Sequence, residues 1–294
     1  MNTPLPRESL SDARNPMGLE GIEYVEYRTA RPQALGQVLE LMGFKPVARH
    51  RSREVLLYRQ GAMNVVVNAH AGRSGHEPSL PETPVLAALA LRVRDASAAK
   101  RRALALGAWD VQVQEAPMEL HIPAIHGVGA SRIYFVDRHR EFSIYDVDFV
   151  PIPGVDAHPP AVAGLRWFGL VQYIGRGRTA DWVAFYQELF GCTELGADRR
   201  TGVLPSGCVL ASPEGELQWQ LIEPQEGDVG SDEDGTERLQ RVALGTPDVT
   251  AAVAALRQRG VQFVETEHLH PQARGALTQG YLGGVMVELV HVGT

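Results

Sequence analysis

The chain has 294 residues, 44% of them apolar and 21% charged, with a formal net charge of −7. These are the proportions of an ordinary globular protein with material for two cores, and an acidic balance without a dense Lys/Arg stripe argues against nucleic acid and anionic membrane surfaces as partners. No run of about 18 apolar residues is present to span a bilayer, and two cysteines without a secretory leader predict a cytoplasmic protein with no disulfide.

Residues 1–17, with Pro4, Pro6, Asp12 and Asn15 and no apolar periodicity, predict a flexible arm. A first module is expected over 18–150. Glu23-Tyr24-Val25-Glu26-Tyr27 alternates like a half-buried strand. Pro32 opens a helix whose Leu35, Val38, Leu39 and Met42 form one stripe, and Gly43 is its stop. Val55–Gln60 and Met63–Val67 read as a hairpin across Gln60-Gly61-Ala62, and the stretch 71–84 as a loop. A strand at Ala88–Val93, a helix from about Ala96 to Leu106 and a final strand at Phe142–Val147 complete the unit.

Residues 151–163 form a Pro-rich linker, since proline removes ladder donors and stiffens the path. The second module, 164–294, repeats the pattern. It has a strand near Phe168–Ile174, a helix bearing Trp182, Phe185, Tyr186 and Leu189, and strands around Cys208–Ala211, Leu217–Ile222 and Leu239–Leu244. A helix from about Val249 to Arg259 and a last strand at Val285–Val290 finish it; Gln225–Glu237 reads as a loop. Two spacings recur between the halves. Gly21 to Gly43 and Gly169 to Gly191 are each 22 residues, and Asp95 to Gly107 and Asp248 to Gly260 are each 12. Such self-similarity predicts duplication, and the βαβββ order an α+β fold with mixed sheets wrapped into half-open barrels.

Several segments resemble bacterial 4-hydroxyphenylpyruvate dioxygenases. They are Asn15-Pro16-Met17-Gly18-Leu19, the run Arg51–Ala62, Pro117-Met118-Glu119-Leu120 with Ile122-Pro123-Ala124-Ile125, and Ser143–Phe149. Gly154–Pro159 and Arg176-Gly177-Arg178 before an aromatic helix extend the likeness, which is close over about 15–195. The resemblance implies two vicinal-oxygen-chelate modules of paired βαβββ units. It also implies a structural first module and a second that holds Fe(II) through two histidines and a glutamate on separate strands. Two imidazoles and one carboxylate on one face leave positions open for a 2-oxo acid and O₂.

Carried over residue by residue, those ligands fall on Gly169 (after Phe168), on Arg241 (after Gln240) and on Glu288, which alone keeps a metal-binding side chain. Further pocket positions fall on Ser206 and Ile222, with Gln172 and Gln240 beside them; the family's closing C-terminal helix has no counterpart before Thr294. Glu23 and Asp146 take the equivalent ligand positions of the first module and are read as structural. Without a metal, a buried Glu288 needs a proton or a partner, and Arg241, on a facing strand, could supply the partner in bidentate fashion. An alternative is a relocated metal on His268 and His270, whose spacing puts both rings on one side of a strand. Gly127-Val128-Gly129 lacks the rest of a dinucleotide loop, and no serine has a nucleophile-elbow context.

The function expected is therefore that of a dioxygenase-like protein with a degenerate iron site, binding an aromatic or 2-oxo-acid small molecule in the second barrel, with no cofactor favoured. The alternatives are an active oxidoreductase that retains Fe(II), and a non-catalytic subunit. The chain could self-associate or pair with a paralogue.

Overall fold

Two aspartates start corresponding helices in the two halves. Asp95 accepts a hydrogen bond from the Ala98 amide at 2.8 Å, and Asp248 accepts one from the Ala251 amide at 2.9 Å, satisfying amides that a first helical turn leaves unpaired. The same helices end at Gly107 and Gly260, with φ of 89° and 98°, and the earlier pair of helices ends at Gly43 and Gly191, with φ of 100° and 71°. Only glycine adopts such angles without strain. The repeated spacings of the sequence are thus the distances from strand or cap to a left-handed stop.

The computed structural model describes residues 14–71, 79–111, 120–139, 142–196, 207–223, 236–267 and 269–293. Its first half runs β1 (Leu19–Arg28), α1 (Pro32–Leu41), β2 (Lys45–His50), β3 (Val55–Gln60), β4 (Met63–Asn68), β5 (Val85–Val93), α2 (Ala96–Ala105), β6 (Ala124–His126), β7 (Arg132–Val136), α3 (Ile144–Asp148) and β8 (Phe149–Pro151). A 3-10 turn at Val162–Gly164 leads to the second half: β9 (Arg166–Tyr173), α4 (Thr179–Phe190), β10 (Thr193–Glu194), β11 (Cys208–Ala211), β12 (Gln218–Ile222), β13 (Arg238–Thr246), α5 (Val249–Gln258), β14 (Gly275–Leu277) and β15 (Val287–His291).

The strands form two mixed sheets, ordered β6-β7-β5-β1-β4-β3-β2-β8 and β10-β11-β12-β9-β13-β15-β14. Read from opposite ends, the two orders coincide strand for strand apart from β8. The pairing senses coincide too: β1 and β9 each run parallel to one neighbour, β4 or β12, and antiparallel to the other, β5 or β13. The fold is α+β, with two unclosed sheets built on one plan. One continuous apolar core joins both halves. It includes Leu35 and Leu39 of α1, Ala99 of α2, Tyr186 and Phe190 of α4, Leu256 of α5, and the sheet residues Val25, Leu91, Leu170 and Leu244. Aromatic rings concentrate beneath α4, where Tyr186 and Phe190 lie against the fully buried Trp219 at centroid distances of 5.1 and 6.0 Å.

One expected strand is overturned. Phe142–Val147 is not a strand of the first sheet: Ile144–Asp148 is a helix, and the sheet's edges are β6 and β8. The reason is a reciprocal cap. The Ser143 amide and hydroxyl donate to Asp146 Oδ2 at 2.8 and 2.9 Å, the box that starts a helix. Asp146 consequently sits on α3 and has no strand equivalent to a ligand position in the second half. Strands β2, β6, β7, β8, β10 and β14 were also not foreseen; β6, β8, β10 and β14 are two- or three-residue edge strands, whereas β2 and β7 lie inside the first sheet. Both cysteines are buried and neither forms a disulfide, and burial pushes the Cys192 thiol up to about 12. Among the described residues no helix is long and apolar enough to cross a membrane.

Replacing Ser143 by alanine removes the hydroxyl's part of the cap, leaving the amide's, and is expected to lower stability by about 1 kcal/mol in a urea titration. The native Cys192 thiol is expected to resist an aromatic disulfide reagent at pH 8 and to react once the chain is unfolded.

Candidate functional site

Two bulges decide which side chains face the concave side of the second sheet. Along the β9–β13 ladder, Leu239 pairs with Gln172 but Arg241 with Val171, so Gln240 is an extra residue in β13. Farther along, Ala243 pairs with Gly169 but Leu244 with Trp167, so Phe168 is extra in β9. Each bulge shifts the alternation by one residue. As a result Phe168, Gly169, Val171, Ala243 and Glu288 line one hollow with Gln218 and Gln220 of β12, while Val242 and Leu244 face the helices.

On this face Gly169, Arg241 and Glu288 converge, on the adjacent strands β9, β13 and β15. Ala243, two residues along from Arg241, is in register with both Gly169 and Glu288. Arg241 and Glu288 are 2% and 3% exposed. Arg241 Nε lies 3.5 Å from Glu288 Oε2, a single long contact in place of the anticipated bidentate fork. Arg241 Nη2 is buried and has no hydrogen-bond partner among the described residues. The space beside Glu288 is small, about 20 Å³, room for roughly one water.

Gly169 has a stricter constraint. A Cβ built there would lie 2.2 Å from the Gln218 carbonyl oxygen and 3.0 Å from its carbon, on the neighbouring strand β12. Backbone cannot move aside as a flexible side chain can, so no side chain, and no imidazole, fits at this point without reshaping two strands.

The other anticipated residues are dispersed. Gln172 faces the helix side, where its amide donates to Tyr186 Oη at 2.5 Å within the core. Gln240 is half-buried and accepts from Arg238 Nε at 2.7 Å, and the Arg238 guanidinium lies 5.0 Å from the Tyr173 ring centre. Ile222 ends β12 opposite Tyr173 and is partly exposed. His270 is exposed in the segment before β14. Ser206 and His268 lie outside the described residues. Gln172 lies three residues from Gly169 on β9 with no bulge between them, so strand alternation places it on the opposite face. The Tyr173–Arg238 pair left a signal that was passed over: an arginine two residues before Gln240 that faces a strand-end tyrosine.

The family models agree with the two-half organisation. Residues 13–150 match the model described as hydroxyphenylpyruvate dioxygenase, HPPD, N-terminal, and residues 168–288 match the glyoxalase/bleomycin resistance protein/dioxygenase superfamily. The chain is 36% identical over 261 residues to a 4-hydroxyphenylpyruvate dioxygenase of a Pseudomonas sp., covering 85% of this chain and 72% of that one. The chain belongs to the 4-hydroxyphenylpyruvate dioxygenase family. It is also 35% identical over 268 residues to the protein named hemolysin VllY of Vibrio vulnificus, covering 87% of this chain and 74% of that one. Among solved structures it resembles a xylose isomerase-like TIM barrel/4-hydroxyphenylpyruvate dioxygenase fusion protein, with a TM-score of 0.71 at 23% identity, covering 93% of this chain and 49% of that one. That last likeness is one of fold.

Membership implies Fe(II), but the donors at the corresponding place do not fit it. A glycine without room for a side chain, a permanent cation and one carboxylate cannot supply the two imidazoles and carboxylate of such a centre. Among the described residues no cluster of three or more His, Cys, Asp or Glu side chains is arranged to hold a metal.

Arg241→Ala removes the guanidinium beside a buried carboxylate and is expected to cost about 3–5 kcal/mol. Changing Arg241 to Met together with Glu288 to Gln should cost clearly less than the sum of the single changes, as read by a double-mutant cycle in urea. Gly169→Ala is expected to cost about 1–3 kcal/mol through overpacking against β12.

Proposed function

We propose that this protein is a member of the 4-hydroxyphenylpyruvate dioxygenase family that does not perform the family's iron-dependent oxygenation. Its second barrel instead has a binding role toward a small aromatic or 2-oxo-acid-like molecule. The observation that carries this reading is the close approach of β12 at Gly169, joined to the Arg241 guanidinium turned toward Glu288. A dication placed there would meet a fixed positive charge and one carboxylate. Losing a partner that merely orients a ligand costs about 10–100-fold in metal affinity or activity; replacing two ligands outright costs more.

The unpartnered Nη2 of Arg241 supports a role in anion recognition, because a buried donor without a partner is costly unless something fills it. A carboxylate bridging to Nη2 would complete the guanidinium's hydrogen bonds. A ligand larger than the hollow beside Glu288 would have to extend toward the end of the face bearing Tyr173, Arg238 and Gln240. A second reading, a non-catalytic subunit acting beside another polypeptide, draws support from the fusion protein, in which a dioxygenase-like portion shares its chain with a TIM barrel.

The test is anaerobic Fe(II) titration of the purified protein followed by oxygen uptake with 4-hydroxyphenylpyruvate. Sub-stoichiometric iron and no uptake above background are expected. Stoichiometric Fe(II) with turnover would overturn the proposal and restore an oxidoreductase. Binding of 4-hydroxyphenylpyruvate without turnover, weakened about 10-fold or more in Arg241→Gln, is the expected calorimetric result.

A further inference from the structure

The roomier hollow of the molecule is in the first half. A cavity of about 560 Å³ opens on the concave face of the first sheet, within the range of about 300–1,000 Å³ typical of small-molecule sites. Its floor is a connected polar network. Arg92 Nε meets Glu23 Oε2 at 2.5 Å, Asn64 Nδ2 lies 3.3 Å from Glu23 Oε1, and Arg59 Nε donates to Asn64 Oδ1 at 2.8 Å. The Arg59 guanidinium also lies 5.4 Å from the Tyr145 ring centre.

The charges around this cavity do not cancel. Three guanidiniums, those of Arg51, Arg59 and Arg92, line it with two carboxylates, Glu23 and Asp146. Asp146 is already spent on the Ser143 cap, and Glu23 is shared between Arg92 and Asn64. Among the described residues Arg51 uses only Nε, donated to the Val147 carbonyl at 2.7 Å, leaving its two terminal nitrogens as donors. The Tyr145 side chain lines the cavity, the residue is 8% exposed, and its buried Oη makes no well-formed hydrogen bond among the described residues. Burial first, and the nearby Glu23 charge second, hold that phenol protonated, with the Glu23 carboxylate as its neighbouring acceptor. Beside the arginines, Val47, Leu57 and Phe149 give the cavity an apolar wall, Leu57 lying two residues from Arg59 on β3.

We infer that this cavity is a binding site for a small carboxylic acid with an apolar body. The carboxylate is held by the two terminal nitrogens of Arg51 with Arg59 Nη2, the nitrogen that Asn64 and the Ala157 carbonyl leave open, as a further donor, and the body lies against Val47, Leu57 and Phe149. A guanidinium fork matches a carboxylate's two oxygens, and the apolar wall selects against a bare inorganic anion. This site is separate from the second barrel and stands whether or not the proposal for that barrel holds.

The experiment is isothermal titration of the full chain with benzoate, with neutral benzamide and inorganic phosphate as comparisons. Benzoate is expected to bind at one site per chain and to be weakened about 10-fold or more by Arg51→Gln, a variant whose thermal midpoint should stay near that of the parent because Arg51 is exposed. Ala62→Trp, an exposed position on the cavity wall, should weaken benzoate through bulk alone. Benzamide and phosphate should each bind at least 10-fold more weakly than benzoate. Four results would overturn the inference: no benzoate binding at millimolar concentration, equal binding of benzamide or phosphate, unchanged affinity in folded Arg51→Gln, or a loss confined to Arg241→Gln, which would move the ligand to the second barrel.

Discussion

Where β9 runs beside β12, the Gly169 backbone sits so close to the Gln218 carbonyl that a Cβ would fall 2.2 Å from its oxygen. Much of the second barrel's chemistry follows from that closeness. A strand that cannot carry a side chain cannot present an imidazole, and the concave face there is left to its neighbours. With that position empty of donors, the buried carboxylate on β15 needs another partner, and the arginine on β13 is the cation turned toward it. Taking both charges out of water is expensive, and their attraction offsets that cost only in part when the contact is single and long. The pair is better understood as what keeps Glu288 tolerable than as a source of stability.

The two halves share one plan and have diverged in what their hollows contain. Strand order apart from β8, pairing sense, aspartate caps and glycine stops coincide, so the divergence lies in side chains on the concave faces and in α3 and β8, whose residues line the first hollow only. The first face keeps a wide cavity with a polar floor; the second keeps little room beside Glu288. A shared architecture therefore says little about chemistry, which resides in the residues grafted onto it. Kinship with 4-hydroxyphenylpyruvate dioxygenases fixes ancestry and fold here, and the donors present argue about activity.

Much of this was legible in the sequence because its signals are local. Asp95 and Asp248 announce helix starts, Gly43 and Gly191 announce stops, and equal distances between such marks reveal duplication before any packing is known. Gly169, Arg241 and Glu288 could be named from the resemblance. Their meeting on one face is a property of the sheet. What could not be read is non-local or depends on single-residue irregularities. The bulges at Phe168 and Gln240 reset which residues of β9 and β13 share a face across the ladder. The run Phe142–Val147 alternates like a strand, but the Ser143–Asp146 cap makes it a helix. Arg92, an arginine inside the apolar run Leu86–Val93, was a visible anomaly whose partner, Glu23, only the β1–β5 pairing supplies.

The central claim concerns what occupies the place next to Glu288. A crystal structure of the protein grown anaerobically with excess Fe(II), with anomalous data collected at the iron edge, addresses it directly. The account predicts the Arg241 guanidinium at that carboxylate and no anomalous peak within coordination distance of it. An iron peak bonded to Glu288, with His268, His270 or any other side chain completing its ligands, would contradict the account.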